Sequence, residues 1–318
     1  MGNNTKAIVE GAMLAGIAAI MAIASTYVPF LSLFYIVFPV PIAIAGYKYG
    51  LKISILSLLV ASLIIAVLSH PLSFLGSIAL GIVGVGIGYF QHKKAPAATA
   101  LIGVFFLALF TMLLELWVAF KFMGIDVISQ IVDMFKQATQ LNMDIYKRIG
   151  VSGQTLQDMD ALTKYMLNTL KTLMPFIIIA SVSLMVFVNY IVTNFILKRL
   201  GYKDIVTLPP FSTWLMPKSA AIVFSVFIAA GFFIKAESMG KDMVQVWSNL
   251  LALGFMAFFI DGLSLVSFYM KKVGMSRFFQ AVIFIMLLFY SYFNILVFMA
   301  GLLDAGMDFR RLRGDSRR

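Results

Sequence analysis

Of 318 residues, 61% are hydrophobic and 12% charged, against roughly half and a quarter in a soluble domain. That balance excludes an ordinary soluble enzyme and describes a chain immersed in lipid. The net charge of +11 comes from 25 basic and 14 acidic residues; the basic ones sit in short connections and at the C-terminus, where they set topology and meet anionic lipid rather than nucleic acid.

The absence of cysteine excludes disulfides, thiolate catalysis and iron–sulfur clusters, and two histidines leave little for a histidine metal site. No cofactor or metal is expected. Apolar runs cover 7–28, 31–47, 53–69, 72–90, 98–120, 174–197, 219–234, 247–270 and 278–303. In lipid such runs cross only as helices, because each backbone polar group must be satisfied within its own segment. The alternation of an outer-membrane barrel is missing, and no cleavable signal pattern precedes the first run. The expected fold is an all-α polytopic bundle of about 8–9 spans.

Basic residues set the orientation. Lys48 and Lys52, Lys93 and Lys94, then Lys198, Arg199, Lys203 and Lys218, then Lys271, Lys272 and Arg277 are separated by pairs of runs. All face the cytoplasm together if the N-terminus does too, as the positive-inside rule requires of a bacterial inner-membrane protein. Arg310, Arg311, Arg313, Arg317 and Arg318 conflict, because one run separates them from Lys271. Either this tail is outside, or one run in the second half does not cross as counted.

The same orientation places 121–173 outside. There Ile125, Ile128, Val132, Phe135, Ala138, Leu141 and Ile145 recur at steps of three and four, which makes an amphipathic helix. Residues 150–153 break it. Thr155 with Asp158 resembles a capping box opening a second helix, whose apolar face is Leu156, Met159, Leu162, Met166, Leu170 and Leu173. The expectation is an extracytoplasmic helical hairpin with an apolar seam, a candidate lid. The connector 207–217, with Pro209, Pro210, Phe211, Trp214 and Pro217, divides a membrane module at 1–200, carrying the hairpin as an insert at 121–173, from an appended module at 201–318.

Few residues inside the runs are suited to chemistry. Gly11, Ala15 and Ala19 put small side chains on one helical face, for packing within the protein or for docking another membrane protein. Gly81, Gly84, Gly86 and Gly88 lack the βαβ context of a nucleotide loop and read as close helix packing. Glu115 is an intramembrane carboxylate, which marks a functional site by default. With the N-terminus inside, Glu115, Trp117, His70, Tyr27, Phe34 and Tyr35 converge on one external level, as a small-molecule pocket would. The plain alternatives are that Glu115 snorkels and His70 caps a turn. Asp261 lies mid-span without an adjacent base, serving either a hydrogen bond to Asn294 or Gln280, or a ligand, proton or cation path. Asn189 and Asn194 read as interhelical glue. HExxH and GxSxG are missing and Asp261 has no obvious twin, so no enzyme is expected.

Several motifs together resemble the YybS-like family of uncharacterised multi-pass bacterial membrane proteins: the small-residue first helix, Phe38-Pro39-Val40-Pro41 leading to Gly46-Tyr47-Lys48-Tyr49-Gly50, the glycine-rich fourth run, the Pro209 to Pro217 connector, and Gly301-Leu302-Leu303-Asp304 with Asp308-Phe309-Arg310. The first six runs also resemble the substrate-capture (S) subunits of energy-coupling-factor transporters. That second resemblance implies an external pocket for a small solute and a docking face at Gly11, Ala15 and Ala19 for a coupling subunit. The YybS-like resemblance implies a regulatory partner, a membrane-bound cyclic-dinucleotide phosphodiesterase. The appended module and the long hairpin depart from the capture-subunit pattern, so a non-transporting interaction or regulatory protein is the competing expectation.

Overall fold

In lipid, helices gain little from hydrophobicity when they meet, so they associate where small side chains let backbones touch and polar groups find partners. The computed structural model, which describes residues 2–233 and 240–312, is built on such contacts. Its order is α1 Gly2–Tyr27, a 3-10 helix Pro29–Tyr35, α2 Pro39–Tyr49, α3 Leu51–Leu68, α4 Ser73–His92, α5 Ala97–Met123, α6 Val127–Arg148, α7 Gly153–Thr172, α8 Met174–Arg199, a second 3-10 turn Phe211–Thr213, α9 Lys218–Phe233, α10 Lys241–Lys272, α11 Arg277–Phe289 and α12 Ser291–Met307. No strand occurs among the described residues. Seven helical segments there are long and apolar enough to cross a membrane, with Pro29–Tyr49 counted as one, and α9 is shorter. The protein is therefore an all-α, multi-pass membrane bundle. Ile234 and the tail residues Arg313, Arg317 and Arg318 lie outside the described residues.

Two compact units divide the chain: Met1–Val151 with Ile178–Thr207, and Ser152–Ile177 with Leu208–Arg318. The division runs through the turn between α6 and α7, so the amphipathic stretch contributes one helix to each unit rather than inserting whole into the first.

In the first unit α2 is the central element, with Pro39 through Gly46 all buried. It lies directly on α4. A Cβ at Gly88 would stand 2.7 Å from the Ala43 carbonyl and 2.9 Å from the Gly46 Cα, so no larger residue fits that crossing. Serines of α3 bond sideways into neighbouring backbone: Ser54 Oγ donates to the Ile42 carbonyl (3.0 Å) and Ser57 Oγ to that of Gly11 (2.9 Å). Ala15, Ala18, Ala19 and Ala22 of α1 close the core against Leu58, Ala61 and Ile65 of α3. Where the chain leaves α8, Val206 is gripped by its peptide group. Its carbonyl accepts from Gln91 Nε2 (2.8 Å), Tyr190 Oη (2.7 Å) and Asn194 Nδ2 (3.1 Å), and its N–H donates to Gln91 Oε1 (3.1 Å). Asn194 is interhelical glue, and Asn189 likewise donates to the Ile36 carbonyl (2.9 Å).

In the second unit α10 and α12 cross at two glycines. A Cβ on Gly262 would run into the Val297 carbonyl and one on Gly301 into that of Phe258, while Phe255 stacks on Phe298 with centroids 4.8 Å apart. Asn249 of α10 takes the other end, donating to the Thr172 carbonyl (2.8 Å) and accepting from Phe176 N (2.7 Å).

Two expectations are revised here. The last apolar run is not one straight crossing: α11 and α12 are bent by 103° at Tyr290, whose extended backbone breaks the helix. The chain that leaves α10 beside Lys271 also returns there, because Lys271 Nζ donates to Ser212 Oγ (3.0 Å) while Arg310 donates to the Ser212 carbonyl (3.3 Å). Arg310 and Lys271 thus meet at one end of the unit. Second, the cap of α7 is Ser152, which accepts from Thr155 N (3.4 Å), rather than a box at Thr155 and Asp158. The amphipathic helices α6 and α7 belong one to each unit. Within α6 only Val132 is buried, α7 buries nothing, and Met134, Leu141, Leu162 and Tyr165 are exposed.

Gly301→Leu should collapse the α10–α12 crossing, since overpacking alone costs about 1–3 kcal/mol and backbone collision more. Gly16→Ala, with nothing within 4 Å of its Cβ, should leave the melting temperature in detergent unchanged. Equal melting of both variants would show that the crossing tolerates separation.

Candidate functional site

The external cluster expected from sequence is assembled only in part. Glu115 on α5 is half-buried and forms no hydrogen bond or ion pair among the described residues. Across from it Tyr35 ends the first 3-10 helix, its ring stacked on Phe38 at 6.2 Å. Between them is the bare backbone of α4 at Gly76, where a Cβ would lie 3.3 Å from Glu115 Oε1 and 3.8 Å from Tyr35 Oη. A carboxylate and a phenol therefore overhang a position that carries no side chain.

The other predicted members are engaged elsewhere. Tyr27 donates to the Leu68 carbonyl (3.0 Å), tying the ends of α1 and α3 together, and His70 Nδ1 accepts from Leu72 N (3.2 Å), capping the turn before α4. Trp117, two residues beyond Glu115, points about 200° around the helix and so faces away. It packs edge-on against Phe122 at 5.7 Å and lines a shallow 340 Å³ cavity at the α5–α6 corner, with Phe120, Ile125 and Asp126.

Gly11, Ala15 and Ala19 are not a free docking face. All three are buried against α3, and a Cβ at Gly11 would meet Ile53 at 2.7 Å. The outward residues of α1 are instead large: Ile8, Met13, Ile17 and Ile20.

The second unit holds what sequence reasoning missed. Asp261 does have a base and a twin. Its Oδ1 accepts from Arg310 NH2 (2.9 Å) and from Met216 N (3.3 Å), while Asp304 Oδ2 takes Arg310 Nε (2.8 Å) and lies 2.6 Å from NH2. Arg310 NH1 completes the fork on Ser264 Oγ (2.6 Å) and the Ser212 carbonyl. Both side chains of the Arg310–Asp304 pair are fully buried and that of Asp261 nearly so. Neither expected partner serves Asp261, because Gln280 donates to the Met275 carbonyl (2.7 Å) and Asn294 is not bonded to it. The arrangement depends on the end of α12. Asp308 adopts the left-handed conformation (φ 51°, ψ 57°), which Asp tolerates by local hydrogen bonding, and Phe309 N donates to Asp304 Oδ1 (2.9 Å). The chain doubles back, bringing Arg310 over the carboxylate six residues before it. In sequence Arg310 is the first of a run of arginines, so only a tally of buried carboxylates against available bases could have singled it out.

Among the described residues no group of three or more His, Asp or Glu side chains is arranged to hold a metal.

Residues 16–305 match the model of a family described as "Predicted membrane protein (DUF2232)". The "Uncharacterized protein YybS" of Bacillus subtilis (strain 168) is 22% identical over 307 residues, covering 96% of this chain and 98% of that one. No solved structure matches.

Two measurements probe these arrangements. Arg310→Ala would strand two carboxylates in the interior, so a loss of about 3–5 kcal/mol is expected; an unchanged melting temperature would mean that water reaches the cluster. At the α5–α6 corner, hydrogen bonds from the Ser129 hydroxyl and N–H hold the Asp126 carboxyl below the usual range. A depressed folded value stabilises α6 above the unfolded pKa, a gain lost as pH falls through the folded one. The protection of Ser129 N against hydrogen exchange, taken relative to the intrinsic rate at each pH, should therefore fall on acidification in wild type and be low at every pH in Asp126→Ala.

Proposed function

We propose that this chain, which belongs to the DUF2232 family of predicted membrane proteins, captures a small solute for transport across the bacterial cytoplasmic membrane. The observation that carries this reading is the Glu115 carboxylate, held half-buried within α5 without a donor of its own, beside the Tyr35 hydroxyl and over bare Gly76. A carboxylate at that depth is costly to keep unless a ligand uses it. The chemistry suits a solute presenting an ammonium or N–H group, which Glu115 accepts, with the Tyr35 ring as a wall and its hydroxyl fixing orientation. With the lysine-bearing ends of the helices inside, the N-terminus is cytoplasmic and this site opens outward. A resemblance of the first six runs to substrate-capture subunits would imply an outward site as well. A coupling partner would have to use the large outward residues of α1, since the small face is covered.

A second reading is an interaction protein that engages another membrane protein. The amphipathic pattern of α6 and α7 favours it, and it predicts no role for Glu115. Thermal-shift measurements on the full-length protein, across primary amines, guanidinium compounds and cationic vitamins, separate the two. Solute capture predicts a stabilising ligand whose affinity falls roughly 10- to 100-fold in Glu115→Gln, the loss of one charge-assisted hydrogen bond. No shift with any compound, or the same shift in the variant, would overturn it.

A further inference from the structure

Hydrogen-bond arithmetic around Arg310 leaves one atom over. Of the five N–H groups of its guanidinium, four make hydrogen bonds, Nε–H to Asp304, the NH1 pair to Ser264 and Ser212 and one NH2 hydrogen to Asp261 Oδ1, and NH2 also lies 2.6 Å from Asp304 Oδ2 as an ion pair. Asp304 is satisfied at both oxygens, with Phe309 N on Oδ1. Asp261 is not. Its Oδ2 is buried and has no partner among the described residues, in a side chain 3% exposed. Two carboxylates on one guanidinium also leave one negative charge over, and of the two carboxylates it is Asp261 that has an oxygen without a partner. An ionised carboxylate oxygen in that position carries a desolvation cost of several kcal/mol per charge.

We propose that Asp261 is a proton-binding site: its Oδ2 takes up and releases one proton, while Asp304 stays ionised on Arg310. A proton fits better than a metal cation. A sodium ion needs several oxygens, whereas Asp261 Oδ2 is the one unserved oxygen of the cluster, and the neighbouring guanidinium repels a second full charge. The charged groups on the elements packed against α10 leave the position open. From α12 comes Asp304, with Asp308 and Arg310 past its end. Lys218 begins α9 and Arg277 begins α11, each the single charge of its described helix. On α10 itself Lys271 is engaged by Ser212 Oγ, with Lys272 beyond it. The charges of α7 enter beside Asn249, about 18 Å along the helix from Asp261. Deprotonation would tighten Asp261 on Arg310 and protonation would loosen it, so proton exchange bears on how firmly the end of α12 is clamped to α10. The site is independent of the Glu115 reading and stands or falls separately.

Infrared difference spectra of the full-length protein in liposomes, recorded across a pH series, read the proton directly. The expected result is a protonated-carboxyl band that titrates in wild type, persists in Glu115→Gln and disappears in Asp261→Asn. Because the amide is isosteric with the protonated acid, Asp261→Asn should fold, and its melting temperature should lose the pH dependence of wild type. Asp304→Asn, which removes the ionised partner, should melt lower at every pH. The proposal is overturned if the band survives in Asp261→Asn or is absent from wild type. It is equally overturned if Asp261→Asn fails to fold, since the charge itself would then be required, or if melting follows sodium rather than pH.

Discussion

Direct backbone contact between helices is the constraint on which both units depend. Where Gly88 meets Ala43 and Gly46, and where Gly262 and Gly301 meet the carbonyls of Val297 and Phe258, there is no room for a side chain and hence none for adjustment. Such contacts gain dispersion energy over their whole length and fix helix positions closely. They decide where the remaining polar groups come to lie. Ser54 and Ser57 reach neighbouring carbonyls because α2 and α1 are already close, and Gly76 leaves Glu115 and Tyr35 overhanging α4 for the same reason.

The charged cluster of the second unit is a consequence of one such crossing. With α12 held against α10 at Gly262 and Gly301, Asp261 and Asp304 are brought within reach of a single cation, and the turn at Asp308 delivers Arg310 to both. Arginine suits this place better than lysine, because its planar fork serves two carboxylates, a hydroxyl and a carbonyl at once. Apolar residues of similar volume would stabilise a bundle as well or better. The cluster therefore speaks for a task more than for stability, which is why its one unserved oxygen carries weight.

Much of the architecture was legible in the residues. Apolar run lengths located the crossing helices, the 3.6-residue beat of Ile125 through Ile145 located α6, and the glycines of the fourth run announced close packing there, which the structure gives to α2. What escaped depended on partners distant in sequence. Nothing near Asp261 indicates that a residue 49 positions later neutralises it, because an arginine after a membrane helix reads as an interfacial charge. The break at Tyr290 was invisible because Phe289, Tyr290 and Ser291 carry no proline or glycine to mark it. The small face of α1 was visible, but composition cannot tell whether Ala15 and Ala19 meet a helix of the same chain or of another. Of the residues expected to converge, Tyr35 and Glu115 meet, whereas Trp117 fails by helical phase.

The grip on Val206 carries a lesson about which positions are free to vary. Gln91, Tyr190 and Asn194 all bind its peptide group and none binds its side chain. A substitution at 206 that keeps the N–H keeps all four hydrogen bonds, whereas proline there loses the one to Gln91 Oε1 and a change at 91, 190 or 194 loses its own. A strap held by its backbone is thus permissive at 206 itself and exacting at 91, 190 and 194.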